Sequence, residues 1–248
     1  MNTVLGLIIL MSYNDLNKDI NYTISRFIID HLSEIKDMSI NELSKRCFVS
    51  TSSINKYCKT LGFKQYSAFK KNLETSIETR LNQMIVRYQE MDQQHWYQLL
   101  NPFYNQDELS YLNNNLDMII EKINKYHSID IVGAVFPNML TQSFIEDMAI
   151  MNVPVKVINI TYNDNELDES ELLFLMSLSG RFMNTYPQRY QHIKAKAKEL
   201  VMISLDKHYP DSILPLSSTL PGETTDILLL VIFNIIKIKY FSKYYHVS

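Results

Sequence analysis

The stretch VSTSSINKYCKTLGFKQYSAFK, from Val49 to Lys70, decides the fold of the N-terminal part of this chain. Its apolar positions recur at helical spacing and predict one buried stripe on a short helix; they are Ile54, Tyr57, Cys58 and Leu61. Gly62 follows, the residue type best able to adopt the left-handed conformation past a helix C-terminus. The stretch therefore predicts a tight turn, a short helix that ends at Gly62, and a further helix that carries Phe69 and Lys70.

The residues upstream predict a helix that leads into this turn. Ser39 and Glu42 have the Ser-x-x-Glu spacing of a capping box, so a helix should begin near Ile40. Phe48-Val49 then form the turn, and Ser50 or Thr51 caps the next helix. This order of elements is that of a helix-turn-helix.

The solvent side of the second helix has the chemistry that a DNA major groove requires. Hydroxyl and amide groups can read base edges, while ammonium groups neutralise phosphates. The alternative is an ordinary solvated helix face. The residues predicted to contact double-stranded DNA are Lys45, Arg46, Ser50, Thr51, Ser52, Ser53, Asn55, Lys56, Lys59 and Lys64.

The charge distribution favours the DNA interpretation. Between Lys36 and Lys71 eight basic residues stand against two acidic ones, a local charge of +6 in a chain whose net charge is −3. A basic segment in an otherwise acidic protein indicates a localised nucleic-acid face.

The 248 residues, of which 46% are hydrophobic and 21% charged, suffice for one or two globular domains. Cys47 and Cys58 fall on apolar helix faces and are interpreted as small buried hydrophobes. The apolar run Val4 to Met11 is too short to span a bilayer, which takes about 20 residues. It predicts a helix that packs on the DNA-binding domain or on a partner subunit, and Ile20 to Ile35 predicts another amphipathic helix.

The second half alternates strands and helices, which is typical of a parallel sheet covered by helices. Strands are predicted at 129–132, 155–160, 172–176, 200–203 and 213–216, and helices near 109–126, 139–151, 185–199 and 226–245. The later helix should begin with Thr185 and Gln188 at capping-box spacing. The Gln- and aromatic-rich segment between the halves suggests a helix-turn-helix domain over 1–87, a linker over 88–108 and an α/β domain over 109–248.

At the helix-turn-helix the chain resembles the RpiR-type bacterial transcriptional regulators, whose pattern is close to V-S-x-A-T-I-x-R-F-C-x-x-L-G-F-x-G-[FY]-x-x-F-K. The matching residues are Val49, Ser50, Ile54, Cys58, Leu61, Gly62, Phe63, Tyr66, Phe69 and Lys70, with Tyr57 in place of Phe. Lys56 stands where the family has Arg, and an ammonium cannot form the bidentate fork that a guanidinium forms on guanine.

The resemblance implies that the second half is a three-layer α/β sugar isomerase (SIS) domain, the effector-sensing module of such regulators. Ser177-Leu178-Ser179-Gly180 looks like the family's S-x-S-G loop, which holds a sugar phosphate. The effector-binding residues implied are Gly133, Ser177, Ser179, Gly180 and Arg181. In the first phosphate loop Val135 and Pro137 replace a Gly and a Ser, so half of the expected cradle is missing; a different anion, or no ligand, is the alternative.

The resulting expectation is a cytoplasmic regulator of carbohydrate-metabolism genes that acts as a homodimer or tetramer, without cofactor, metal or membrane contact. The alternatives are a phosphosugar isomerase and a ligand-free assembly protein. An isomerase needs a base at the sugar carbons, and the candidates are Glu146, Asp147, Glu223 and the six histidines. We expect Glu146-Asp147 on an exposed helical turn, and the histidines have no ligand-like spacing.

Overall fold

The structure, a computed structural model, describes residues 3–13, 18–90, 93–134, 138–159, 167–204 and 222–245. The chain forms two compact units. The first comprises Met1–Arg87 with Ile145–Val155, and the second comprises Tyr88–Phe144 with Lys156–Ser248.

The first unit contains the N-terminal helices. They are α1 (Thr3–Ser12), α2 (Ile20–Asp30), α3 (Ile40–Arg46), α4 (Thr51–Thr60) and α5 (Tyr66–Glu90). The helices expected over Val4 to Met11 and from Ile40 onward are present. The α1 helix buries Val4, Leu5, Ile8 and Ile9 but leaves Leu7 and Leu10 exposed. It packs on α2, one of the two arrangements that the sequence predicted.

The start of α3 is fixed by the predicted capping box. The Glu42 N–H donates to Ser39 Oγ at 3.2 Å, and the Ser39 N–H donates to Glu42 Oε2 at 2.7 Å. The hydrogen bond from the Ser39 backbone holds the pKa of Glu42 below its ordinary value. Two exposed N–H groups at the helix start are thereby satisfied, which confirms the predicted beginning of α3.

The core of this unit is aromatic and contains both cysteines. Tyr57 and Phe69 are completely buried, and their rings meet edge to face with centroids 6.0 Å apart. The Tyr57 hydroxyl forms a hydrogen bond with Ser25 Oγ at 2.8 Å. Cys47 and Cys58 are buried and free, and burial raises the pKa of each thiol to about 11. Both cysteines therefore serve as neutral packing groups at physiological pH.

The second unit contains an α/β arrangement. Its elements include α6 (Gln93–Gln98), α7 (Gln106–Tyr126), β1 (Ile129–Gly133), β3 (Ser170–Met176), α9 (Arg181–Thr185), α10 (Pro187–Lys196), β4 (Ala197–Ile203) and α11 (Gly222–Tyr244). Two elements, α8 (Gln142–Ile150) and β2 (Val155–Asn159), have residues in both units. Residues 88–108, the predicted linker, contain α6 and the first turn of α7.

The sheet has the strand order β2-β1-β3-β4, with β3 parallel to both β1 and β4. This confirms the predicted fold class, an all-α domain followed by a parallel α/β domain. The register pairs Gly133 with Met176 and Met176 with Ile203, so the loops that follow β1 and β3 leave the same edge of the sheet. The strand predicted at 213–216 lies outside the described residues.

The α11 helix is apolar along most of its length but carries lysines that are almost fully buried. Lys239 Nζ lies 2.7 Å from Asp117 Oδ1 of α7, and Lys237 Nζ lies 3.0 Å from Ser143 Oγ. Across the part of the chain that the structure describes, no helix combines the length and apolar character needed to cross a bilayer.

The predicted helix over 185–199 is wrong in its start and its end. Thr185 is the last residue of α9, and α10 begins at Pro187 without a side-chain cap. Proline suits a first helical position because its φ is preset and it has no N–H to satisfy. The helix ends at Lys196 because residues from Ala197 onward pair with β3, beginning opposite Ser170.

The expectation that Glu146-Asp147 lies on an exposed turn is also wrong. Asp147 is 1% exposed, and its Oδ1 accepts a hydrogen bond from Arg80 Nε of α5 at 2.6 Å. Glu146 Oε2 lies 3.7 Å from the same nitrogen. The two carboxylates offset the charge of a guanidinium that is itself buried, so Asp147 stabilises the first unit and is not a free base.

We predict that Asp147→Ala lowers the free energy of unfolding by about 3 kcal/mol, because it removes the nearest counter-charge from a buried guanidinium. Urea unfolding followed by circular dichroism measures the change. The double variant Arg80→Met, Asp147→Ala should recover part of the loss, since it also removes the charge that requires compensation.

The matched control is Glu171→Ala, which breaks the solvent-exposed ion pair with Lys198. That variant should unfold at the same urea concentration as the unmodified chain. An Asp147→Ala protein of unchanged stability would show that the buried pair contributes nothing.

Candidate functional site

The turn between α3 and α4 is built by backbone hydrogen bonds. The Phe48 N–H donates to the Lys45 carbonyl at 3.3 Å, and the Val49 N–H donates to the Ser44 carbonyl at 3.1 Å. This pairing is a Schellman motif, which requires a left-handed residue just past the helix, and Phe48 adopts it with φ 55°. Ser44 Oγ donates to the Val49 carbonyl at 2.6 Å and holds the chain at the entry to α4.

The first turn of α4 is capped by Ser50. Its Oγ accepts the Ser53 N–H at 3.0 Å and forms a second hydrogen bond with Ser53 Oγ at 2.9 Å. Ser50 is thus the N-cap, one of the two residues that the sequence offered for this position. The hydroxyls of Ser50 and Ser53 are hydrogen-bonded to each other within the cap. The hydroxyls of Thr51 and Ser52 are therefore more available than these two at this helix end.

The two sides of α4 differ in exposure as the sequence predicted. Ile54, Tyr57 and Cys58 are completely buried. The opposite side is exposed and presents Thr51, Ser52, Asn55, Lys56 and Lys59. A hydroxyl, amide and ammonium surface therefore faces outward from the short helix after the turn, the geometry in which helix-turn-helix proteins present a recognition helix.

The end of α4 repeats the geometry of the preceding turn. The Gly62 N–H donates to the Lys59 carbonyl at 3.0 Å and the Phe63 N–H donates to the Cys58 carbonyl at 2.8 Å. Gly62 has φ 88°, as the sequence predicted for the left-handed residue beyond the helix. The Phe63 ring then packs against Phe69, with centroids 5.8 Å apart, and fixes the path into α5.

The predicted cationic residues fall into two groups. Lys45, Lys56, Lys59 and Lys64 are exposed and form no ion pair with any residue that the structure describes. Arg46 is exposed as well, but its Nη1 lies 2.6 Å from Glu34 Oε2 and its guanidinium lies over the Phe27 ring. The Arg46 hydrogen bond is the main reason that the pKa of Glu34 is lowered. Four lysines thus remain available to phosphates, whereas Arg46 already has a counter-charge.

The second candidate site lies where β3 ends. The Gly180 N–H donates to the Ser177 carbonyl at 2.8 Å, and Gly180, with a left-handed φ of 68°, directly precedes α9. Ser177 is buried, and its Oγ accepts the Phe182 N–H at 3.3 Å. Ser179 is exposed, and Arg181 Nε donates to its Oγ at 3.3 Å. The loop therefore presents one hydroxyl and one guanidinium outward, while the Ser177 hydroxyl is used internally.

Gly133 lies at the end of the neighbouring strand, β1. Its lack of a side chain leaves room for packing within the protein itself. A Cβ there would lie 2.7 Å from Asn138 Oδ1 and 3.2 Å from Met176 Cβ. Asn138 is completely buried, and its Nδ2 donates to the Gly133 carbonyl at 3.1 Å and to Asn159 Oδ1 at 2.8 Å. Asn138 thus ties the ends of β1 and β2 together.

Sequence reasoning missed Asn138, since a lone Asn after a Pro carries no distinctive signal. The two predicted replacements in the first phosphate loop, Val135 and Pro137, lie outside the described residues.

A further concavity, of about 580 Å³, lies beside α6 and α7. It is lined by neutral side chains, which are Tyr97, Gln98, Asn101, Gln106, Leu109, Ser110 and Asn113. Because no basic residue of the described chain lines it, these residues offer no counter-charge to a phosphate. The described residues also hold no group of three side chains suited to bind a metal ion.

Comparison with solved structures gives distant likenesses. The structure described as "The Vibrio vulnificus NanR protein complexed with ManNAc-6P" has 12% identity and a TM-score of 0.39, over 97% of this chain and 92% of that one. A structure described as "Crystal structure of an hypothetical protein" has 12% identity and a TM-score of 0.42, over 65% of this chain and 90% of that one. No curated protein matches the chain in sequence.

Comparison with protein families is more informative for the first unit. Residues 4–80 match the family described as "Helix-turn-helix domain, rpiR family". The matched region contains α1 to α4 and the first part of α5, with the capped turn and the outward-facing α4. Residues 4–80 therefore form a helix-turn-helix domain of the rpiR family, the DNA-binding part of a transcriptional regulator.

Proposed function

We propose that this chain regulates carbohydrate-metabolism genes by binding specific DNA sequences through α4 and by sensing a sugar phosphate or a similar anion in its α/β domain. The observation that carries the proposal is the exposure of Asn55 and Lys56 on a recognition helix whose other side is buried. Had these two side chains pointed into the core, the helix could not enter a groove.

On DNA, Thr51, Ser52, Asn55 and Lys56 would read base edges, because the N-terminal part of a recognition helix lies deepest in the major groove. Lys45, Lys59 and Lys64 would neutralise phosphates, which sets affinity and its dependence on salt. Lys56 can approach guanine as a point charge only, without the fork that arginine provides.

The proposed assembly is a homodimer or a larger oligomer in the cytoplasm. Two copies of α4 would then meet successive major grooves about 34 Å apart and favour a near-palindromic site. The effector would alter DNA affinity by binding one arrangement of the copies more tightly than another.

For the effector we propose the loop after β3, with Ser179 and Arg181 as its contacts. An exposed hydroxyl beside a guanidinium, at the carboxyl edge of a parallel sheet, is suited to an anionic group. The Ser177 hydroxyl is already hydrogen-bonded within the loop, and Gly133 packs against Asn138. The proposed anion site is therefore smaller than the family pattern implies.

We predict that Asn55→Ala and Lys56→Ala each weaken binding to the preferred DNA sequence by roughly 1 to 3 kcal/mol, with little change on random DNA. The preferred sequence is obtained by selecting a random duplex library with the full chain, and affinities are measured by fluorescence anisotropy at fixed salt.

The matched controls are Asn72→Ala and Lys71→Ala, which remove the same groups from exposed positions on α5. They should not change the preference between selected and random DNA. If the α4 variants lose the same affinity for selected and for random DNA, Asn55 and Lys56 contact the DNA backbone and not the bases. A chain that selects no DNA would contradict the proposed function.

We predict that Ser179→Ala removes the effect of sugar phosphates on DNA affinity and leaves affinity without effector unchanged. The test repeats the anisotropy measurement across common hexose phosphates and amino-sugar phosphates. Ser128→Ala is the control, because Ser128 precedes β1 and lies at the opposite edge of the strands.

A response that survives Ser179→Ala and Arg181→Ala would place the effector elsewhere. Conversion of any of these sugar phosphates by the full chain would favour the isomerase alternative. The absence of both a response and a thermal shift with every anion would favour the ligand-free assembly protein.

A further inference from the structure

Phe48 is the least expected side chain on the helix-turn-helix surface. Its side chain is 95% exposed, although an aromatic ring gains most from burial. Its backbone has φ 55°, where the Cβ of an L-residue crowds the following carbonyl. Both features are unfavourable to the folded chain, so neither explains why a phenylalanine occupies this position.

The turn itself does not need the phenyl ring. It is closed by the N–H groups of Phe48 and Val49, which any residue with a left-handed backbone would provide. Gly62 closes the same motif at the end of α4 without a side chain. The Phe48 ring also makes no aromatic contact with the residues that the structure describes. The ring is therefore dispensable for folding.

The surroundings of the ring indicate what it contacts. Between residues 21 and 85, all of which are described, no other large hydrophobic side chain is exposed. Its exposed neighbours in the chain are Lys45, Arg46, Ser50 and Thr51, which are basic or hydroxyl-bearing. At a protein interface, further apolar side chains would surround such a ring. A single exposed ring among basic and hydroxyl groups instead matches a polyanionic partner that carries isolated apolar groups.

Duplex DNA is such a polyanion. The thymine C5-methyl group projects into the major groove and is recognised by apolar side chains, phenylalanine included. Phe48 lies three residues before the first residue of α4, at the end of the recognition helix that contacts base edges. The deoxyribose of the backbone is a second source of apolar carbon at this place.

We propose that Phe48 packs on a thymine methyl group at the edge of the DNA site and thereby selects that base. The inference rests on the proposed function, since it requires α4 to enter the major groove. It adds an apolar contact to a surface that otherwise reads DNA through hydrogen bonds and charge.

The test uses Phe48→Asn in the full chain, because asparagine tolerates the left-handed backbone better than other side chains. The variant should melt at a higher temperature than the unmodified chain, yet bind the selected DNA about tenfold more weakly. Loss of affinity together with gain of stability separates a DNA contact from a structural role. Ile20→Ala, which trims another exposed hydrophobic side chain at the start of α2, should leave affinity unchanged.

Replacing thymines one at a time by deoxyuridine locates the methyl group. One replacement should weaken binding of the unmodified chain about fourfold, the worth of one buried methyl, and should not affect the Phe48→Asn variant. If the variant binds weakly but no uracil replacement matters, the ring contacts deoxyribose, which supports a DNA contact and overturns the base selection.

An unchanged affinity of Phe48→Asn for selected DNA would overturn the proposal while leaving the proposed function intact. A variant that sediments with a different number of subunits would assign the ring to a second copy of the chain instead. If the unmodified chain selects no DNA at all, the proposed function fails, and the inference fails with it.

Discussion

The burial of Tyr57 is the constraint on which the proposed DNA-binding surface depends. This residue occupies the centre of the inner side of α4, with its ring against Phe69 and its hydroxyl bonded to Ser25. Desolvation raises the pKa of the phenol, so the hydroxyl stays neutral and remains in its hydrogen bond. Rotation of α4 about its axis would break that bond and expose the ring, and thus the position of Tyr57 fixes the outward direction of Asn55 and Lys56.

The two ends of α4 are fixed by backbone bonds of the same kind. Left-handed residues stand at Phe48 and Gly62, one before the helix and one after it. Between them the helix has a defined start, length and exit. The proposed DNA interface is therefore set largely by the chain itself, as expected of a helix-turn-helix that acts as a preformed reading element.

The sequence predicted those features that depend on neighbouring residues. The capping box of Ser39 and Glu42, the cap at Ser50 and the stop at Gly62 are short-range hydrogen-bond patterns, and the structure shows all three. Four of the five predicted strands were likewise located from short apolar runs, and the fifth lies outside the described residues. The sequence could also predict which residues of α4 are exposed, because a 3.6-residue period separates its two sides.

Features that depend on distant partners could not be predicted in this way. Asp147 looked like a surface carboxylate because its partner, Arg80, is 67 positions away in the chain. The Thr185 to Gln188 spacing matched a capping box, but Pro187 started the helix and β4 ended it through pairing with β3. Asn138 owes its role to the ends of two strands that meet only in the folded sheet.

The two protonated thiols in the core of the first unit have a practical consequence. Cys47 and Cys58 are the only cysteines in the chain, and a thiol reagent needs both access and a thiolate to react. Both conditions are met only when the first unit opens, so the rate of alkylation reports the opening of this domain alone. Alkylation of the two native cysteines can therefore measure how DNA binding suppresses local unfolding, and no engineered probe is needed.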